Sequence, residues 1–243
     1  MIQSVNNKTI KELVKLKNKK TRDEKGLFLV DGYHMVEEAI KAHLCDLVIT
    51  TDESRENEEN VLVVSQSVME KLSYTKTPQP IMAVCHKKDN IVKHYSRILI
   101  LDGVQDPGNL GTILRSALAF GFKQIVLSND CVDLYNDKAL RSTQGALFHL
   151  DIVRDDLKKV IPELKEMGVK VIATSLHNAS SIEDITPSSK MAFVMGNEGN
   201  GVREETIHMS DQSLYIPIET MESLNVGVAA GIVMYTFKEI SHD

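Results

Sequence analysis

An arginine, a glutamate and three small polar residues, spread over three loops of the C-terminal half, are the side chains of this 243-residue chain best suited to chemistry. The first loop, Leu101-Asp102-Gly103-Val104-Gln105-Asp106-Pro107-Gly108-Asn109-Leu110-Gly111, runs into a helix with an apolar stripe of Leu110, Ile113, Leu114, Ala117 and Leu118. At 100° per residue Arg115 falls well off that stripe, so its guanidinium faces a cleft or solvent. No Gly-Lys-Ser/Thr follows the glycines and GxGxxG spacing is absent, which excludes a P-loop and a dinucleotide fingerprint. The second loop is Phe193-Val194-Met195-Gly196-Asn197-Glu198-Gly199-Asn200-Gly201-Val202. Its glycines let the backbone turn sharply and approach a ligand closely, and Glu198 among them can pair with an arginine. The third loop leaves a strand at Ile216-Pro217-Ile218 and enters an Ala/Gly-rich helix through Ser223-Leu224-Asn225.

Each loop also has a plainer reading. Asn109 suits a helix N-cap, and Ser223 or Asn225 suits the cap of the last helix. Arg115 can be an ordinary surface arginine, and glycine can serve only to supply positive φ. Residue types alone leave both readings open.

The elements that carry these loops read as two α/β units. In the second, continuous apolar runs at Ile98–Leu101, Ile125–Leu127, Val169–Ala173, Ala192–Met195 and Leu214–Ile218 have the pattern of strands buried on both faces. Helical periodicity lies between them at Leu110–Phe120, Asp137–Gln144 and Leu157–Met167, with a last helix from Asn225 to Ile240. Such alternation predicts a doubly wound parallel sheet, whose ligands bind beyond the carboxyl ends of the strands. The first unit, residues 1–93, starts with a basic helix anchored by Ile10, Leu13 and Val14. Strands at Leu27–Val30, Leu47–Thr50, Val61–Val64 and Ile81–Cys85 follow, with helices at Tyr33–His43 and Ser65–Leu72. A polar stretch, His86–Arg97, is the candidate linker to the second unit, residues 97–243.

Composition narrows the class. With 42% hydrophobic and 26% charged residues the chain is near the globular average, and no apolar run reaches the length of a membrane span. The N-terminal lysines precede no apolar signal-peptide core. Three cysteines in no CxxC pair argue against a disulfide framework or a cysteine zinc site, so the expected compartment is the cytoplasm. The eight histidines show no ligand spacing, and no metal is expected. Net charge is −6, yet residues 1–25 carry +5 and the remainder −11. A basic start on an acidic body is the footprint of a local phosphate-binding face. Lys15, Lys17, Lys19, Lys20 and Arg22 are its candidate nucleic-acid contacts, and a solvated amphipathic helix is the alternative.

In this order and in one half of the chain, the three loops resemble the signature motifs of the SpoU/TrmH family of RNA ribose 2′-O-methyltransferases, a branch of the SPOUT superfamily. The resemblance runs from Ile98 to the C-terminus. The N-terminal unit, with its Lys/Arg-rich helix before Gly26-Leu27-Phe28-Leu29-Val30-Asp31-Gly32, is more loosely similar to the L30e-like RNA substrate-binding domain often attached to this family. The resemblance implies a deep trefoil knot in the C-terminal domain, a homodimer, and S-adenosyl-L-methionine as cofactor. It places Gly196, Ile216 and Leu224 in the cofactor pocket, bordered by Thr174, Ser175, Leu176, Asn197, Glu198 and Gly199 and by Pro217, Ile218 and Asn225. It assigns activation of a ribose 2′-hydroxyl to Arg115. A guanidinium is a permanent cation, so a grip on the adjacent phosphate and polarisation of the hydroxyl suit it better than a base role. Glu198 would orient that guanidinium, while Asn109, Ser223 and Asn225 hold the loops and the ribose. Large-subunit (23S) ribosomal RNA is the favoured substrate and transfer RNA the alternative. A non-catalytic RNA-binding or ribosome-assembly protein on the same fold, and an oxidoreductase on a Rossmann sheet, are the competing classes.

Overall fold

The computed structural model describes residues 1–88, 91–93, 95–220 and 223–239. Part of the expected linker (Asp89, Asn90, His94), Met221 and Glu222 of the third loop, and Ile240 at the expected end of the last helix lie outside the described residues. The chain divides into two compact units. One comprises Met1–Asp89 with Tyr135–Phe148, the other Asn90–Leu134 with His149–Asp243. The single cut expected between residues 93 and 97 is therefore supplemented by a stretch of the second half that folds into the first unit.

In the first unit β1 (Leu27–Asp31), β2 (Cys45–Thr50), β3 (Val61–Val63) and β4 (Ile81–His86) form one sheet in the order β1-β4-β2-β3. β4 runs antiparallel to β1 and β2, and β3 parallel to β2. The expected basic helix is two helices, α1 (Lys8–Lys15) and α2 (Lys19–Lys25), because Asn18 caps a new N-terminus by accepting from Lys20 N at 2.8 Å. α3 (Tyr33–Lys41) and α4 (Gln66–Leu72) stand where periodicity placed them. Ile10, Leu16, Leu29, Ile49, Val68, Met69, Leu72 and Met82 form the core. The inserted stretch adds aromatic packing: Phe28 is buried, with its ring centroid 4.7 Å from that of Tyr135 and 6.2 Å from that of Phe148.

The basic segment is not a free cationic face. Arg22 is 4% exposed, and its guanidinium donates to Leu16 O at 2.9 Å and Lys17 O at 2.8 Å, so it joins the two helices rather than reaching outward. The Lys17 ammonium is held by the carbonyls of Lys71 and Ser73 at 3.0 and 2.6 Å. Lys15, Lys19 and Lys20 remain exposed but pair with Glu12, Asp23 and Glu24. Arg22 and Lys17 are thus turned away from an RNA surface, because Arg22 is buried and the Lys17 ammonium is held on backbone carbonyls.

In the second unit all strands are parallel. β5 (Arg97–Leu101), β6 (Gln124–Leu127), β7 (Asp151–Arg154), β8 (Lys170–Thr174), β9 (Ser180–Ser181), β10 (Met191–Met195) and β11 (Gln212–Tyr215) lie in the order β7-β6-β5-β10-β8-β11-β9. The helices are α5 (Pro107–Ala119), α6 (Asp137–Thr143, in the stretch that joins the first unit), α7 (Leu157–Glu166), α8 (Glu204–Met209) and α9 (Val226–Phe237). Sequence reading misses β7 and β9, the two edges, because one is only half buried and the other has two residues. It also runs β11 too far: the strand ends at Tyr215, and Pro217, with no N–H to donate, lies beyond the ladder. Strand order reverses between β5 and β10, and the loops after β5, β10, β8 and β11 follow one another along the carboxyl edge. Among the described residues no helix is long and apolar enough to cross a membrane.

Arg22→Ala should lower the unfolding free energy by about 1–3 kcal/mol, the worth of hydrogen bonds from a charged donor to buried acceptors. It should leave the salt dependence of RNA binding unchanged. Urea denaturation and a salt titration of RNA affinity measure the two effects separately.

Candidate active site at the carboxyl edge of the parallel sheet

The geometry of the site begins with where α5 starts. Asp106, not Asn109, is its N-cap: the carboxylate accepts from Asn109 N at 2.8 Å, and Pro107 occupies the first helical position, where a missing N–H costs nothing. The helix therefore opens three residues earlier than its apolar stripe suggests. Asn109 lies inside the first turn with its amide free to reach sideways. Leu110, Ile113, Leu114 and Ala117 are buried as expected. Arg115 is exposed and, among the described residues, makes no hydrogen bond or ion pair.

The amide of Asn109 goes to Glu198. Asn109 Nδ2 donates to Glu198 Oε1 at 3.0 Å, and the backbone N–H groups of Asp106 and Gln105 donate to the same carboxylate at 3.0 and 3.1 Å. Partial burial by itself would raise the Glu198 pKa, but the Asn109, Asp106 and Gln105 donors outweigh it and hold the carboxyl below its ordinary range. Glu198 is thus an ionised strap between the second loop and the first. It does not orient Arg115, as the sequence suggested, because its acceptors are taken by the backbone and amide donors of the first loop.

Asn225 closes the set. Its Oδ1 caps α9 by accepting from Gly227 N at 2.9 Å and Val228 N at 3.3 Å, while its Nδ2 donates to Asn109 Oδ1 at 2.9 Å. Asn225 thus serves as helix cap and as tie to Asn109 at once, one through each end of its amide. A chain Glu198–Asn109–Asn225 therefore joins all three loops. Ser223 is exposed and has no hydrogen-bond partner among the described residues.

The second loop folds back on itself: Asn197 and Gly201 exchange backbone hydrogen bonds at 2.9 Å. Asn197 also donates from its side chain to Gly103 O at 2.8 Å. Gly196 has no room for a side chain, since a Cβ there would lie 2.0 Å from the Gly201 carbonyl carbon and 2.1 Å from Val202 N. Gly196 is thus needed first to let this loop close. Thr174 and Ser175, at the end of β8, bond to Val194 O and to Leu214 O, tying the neighbouring strand ends together. Leu176 stands 65% exposed in the loop that follows. Ile216, Ile218 and Leu224 are half buried, and Pro217 and Gly199 exposed.

Sequence reading misses the supports beside the first loop. Ser128 Oγ accepts from Gly103 N at 2.9 Å and donates to Asp130 at 2.6 Å, and Gln105 donates to Asp130 O. The Arg154 guanidinium donates to the carbonyls of Ser128, Cys131 and Val132 and shapes the loop after β6. Only the short polar run Ser128-Asn129-Asp130 signalled them. Among the described residues no cluster of three or more His, Cys, Asp or Glu could hold a metal.

A parallel sheet with a reversal in strand order, and glycine-rich and polar loops bound together beyond its carboxyl edge, is the arrangement at which α/β proteins bind organic ligands. Comparison with known proteins gives the family. Residues 96–235 match the model of the SpoU rRNA methylase family, and residues 7–83 match the MRM3-like substrate binding domain. The chain is 39% identical to the 23S rRNA (guanosine(2553)-2′-O)-methyltransferase RlmP of Bacillus subtilis, over 96% of this chain and 97% of that one. Among solved structures, the AdoMet-bound rRNA methyltransferase of Sinorhizobium meliloti superposes with a TM-score of 0.87 at 27% identity, covering 97% and 95% of the two chains. AviRb from Streptomyces viridochromogenes, at 22% identity and a TM-score of 0.85, shares the fold. The chain belongs to the SpoU rRNA methylase family. It is an S-adenosylmethionine-dependent RNA methyltransferase, and the expectations of family, parallel α/β fold and cofactor are borne out.

The residues present fit that cofactor. The loop after β10 is a tight glycine cradle, and the adjoining loops offer backbone groups with Leu176, Ile216 and Leu224, as an adenine slot requires. Gly196→Ala should force the loop open at a strain cost of about 1–3 kcal/mol. S-adenosylmethionine affinity should then fall about tenfold or more, as measured by calorimetric titration, with far-UV circular dichroism unchanged.

Proposed function

We propose that this protein is a cytoplasmic homodimer that transfers a methyl group from S-adenosylmethionine to a ribose 2′-hydroxyl of 23S ribosomal RNA. In this reading the target is the guanosine for which the Bacillus subtilis relative is named. The observation that carries the site assignment is the Glu198–Asn109–Asn225 chain, which holds three loops in register beyond one sheet edge. Bound there, S-adenosylmethionine supplies an electrophilic methyl on a sulfonium. The protein's own part is positioning. Thr174, Ser175 and Leu176 after β8, Gly196 to Gly199 after β10, and Ile216, Pro217, Ile218, Leu224 and Asn225 after β11 would hold the cofactor. Arg115, exposed and without a partner among the described residues, would grip the RNA phosphate and polarise the attacking hydroxyl. Ser223, which also has no partner among the described residues, would bond the ribose. Asn109 keeps its amide on Glu198 and Asn225, and so acts through the loops.

Residues 1–93 would present the RNA and residues 97–243 transfer the methyl, with Tyr135–Phe148 of the latter completing the core of the former. Lys15, Lys19 and Lys20 are the remaining candidates for phosphate contact in the basic segment. The family's knot is part of this reading, and the chain's course supports it. The segment after β11 brings Asn225 to Asn109, while the loop after β10 is strapped to residues 102–109. The homodimer is supported by α9, which is apolar on all sides. It buries Val226, Ala230, Val233, Met234 and Phe237 inward and leaves Val228 53% and Tyr235 60% exposed.

Mass-spectrometric mapping of ribose methylation in RNA from cells with and without the gene tests the substrate. Loss of one 2′-O-methyl mark from 23S RNA is expected, and loss from transfer RNA alone would redirect the reading. Arg115→Ala should lower kcat about 10²–10³-fold, the worth of one charge-stabilising donor, with RNA still bound. Unchanged turnover would remove Arg115 from the mechanism.

A further inference from the structure

We propose that Arg203 is a positioning residue for the cofactor, through a buried ion pair that seats the loop after β10. The inference rests on the reading that this loop borders S-adenosylmethionine.

Asp102 follows directly on β5, and its side chain is completely buried. A carboxylate in such a place must be compensated by an opposite charge or by donors. Both kinds of compensation come from a single residue. Arg203 N donates to Asp102 Oδ2 at 3.1 Å, and the Arg203 guanidinium contacts Asp102 Oδ1. The guanidinium is itself half exposed and lies 3.7 Å from a second carboxylate oxygen, on Asp130. Asp130 is tied in turn to Ser128 at the end of β6.

Arg203 terminates the glycine loop. Between Gly196 and Val202 that loop has no buried side chain, and Glu198, Gly199, Asn200 and Gly201 are all exposed. Apart from Val202 at its far end, which packs in the core, no apolar side chain fixes the course of the loop. Its position comes from polar attachments to residues 102–109: Asn197 on Gly103 O, Glu198 on the start of α5, and Arg203 on Asp102. Asn197 and Glu198 hold the front of the loop, and Arg203, beside the buried Val202, makes the polar attachment of its far end. The Arg203 attachment is the buried one. Without it a charge is left in the interior, so the loop end or the β5 end must move until water reaches Asp102. Either movement displaces the backbone at Gly196, whose surroundings have no slack.

The test is calorimetric titration of S-adenosylmethionine into full-length Arg203→Ala, Arg203→Lys and the double variant Asp102→Asn/Arg203→Ala. Each is measured at a temperature where circular dichroism shows it folded. Arg203→Ala should weaken cofactor binding about tenfold or more, Arg203→Lys less, and the double variant should recover part of the loss because a neutral amide removes the stranded charge. RNA affinity should stay within about threefold of wild type, and the KM for cofactor should rise more than kcat falls. Wild-type cofactor affinity in folded Arg203→Ala would overturn the proposal. So would a double variant that binds as tightly as wild type, which decides the matter even if Arg203→Ala alone does not fold. Gly196→Ala in the same titration separates the two levels. If it loses the cofactor while Arg203→Ala does not, the loop assignment stands and the role of Arg203 falls. If Gly196→Ala also binds normally, the loop assignment itself fails.

Discussion

The Glu198 carboxylate is ionised in the exposed middle of its loop, between buried Met195 and Val202, and it needs donors. It finds them in the backbone of Gln105 and Asp106 and in the amide of Asn109. Because Asn109 spends its other amide atom on Asn225, the same carboxylate also sets, at one remove, the entry to α9. Three loops that leave the sheet at different strands are thereby held as one rigid edge. Charge-assisted hydrogen bonds are short and directional, which suits an enzyme whose chemistry is a displacement needing alignment more than acid or base strength.

The sheet makes this economical. β5 and β10 are neighbours at the reversal of strand order, with Leu101 paired to Met195, so their loops emerge side by side. The next ladder bond, Asp102 N to Met195 O at 2.8 Å, carries the pairing into the first loop. From there a buried acid, an N-cap aspartate and a helix-opening proline follow in quick succession. Together they fix the direction of α5 and present Arg115 to solvent, its guanidinium uncommitted to any described residue. The first unit uses its charges differently. Its basic helices bind their own acids and carbonyls, and their junction depends on a buried arginine.

Much of the fold was legible in the sequence, for simple reasons. β5, β6, β8 and β10 are buried on both faces and so read as unbroken apolar runs, and α7 has a strong one-sided pattern. The edges β7 and β9 lack that signature because half of each strand meets solvent or because the strand is too short. The helix expected over Asp137–Gln144 is present as α6, but nothing local says that the aromatic residues flanking it, Tyr135 and Phe148, pack on Phe28, which lies more than a hundred positions earlier. Charge patterning misled where it treated Lys17 and Arg22 as exposed: sequence counts charges but does not show which of them are already bound.

By itself the sequence determined the residue types of the site, the strands that carry its loops and the family to which it belongs, because glycine, proline and apolar periodicity act over a few residues. Only the tertiary structure decided the partnerships. Glu198 binds Asn109 rather than Arg115, Asn225 serves both as helix cap and as loop tie, and Asp102 is neutralised by Arg203. Those pairings join positions about ninety to more than a hundred residues apart, and a side chain's partner over such distances is set by where the backbone delivers it, which local preference does not encode.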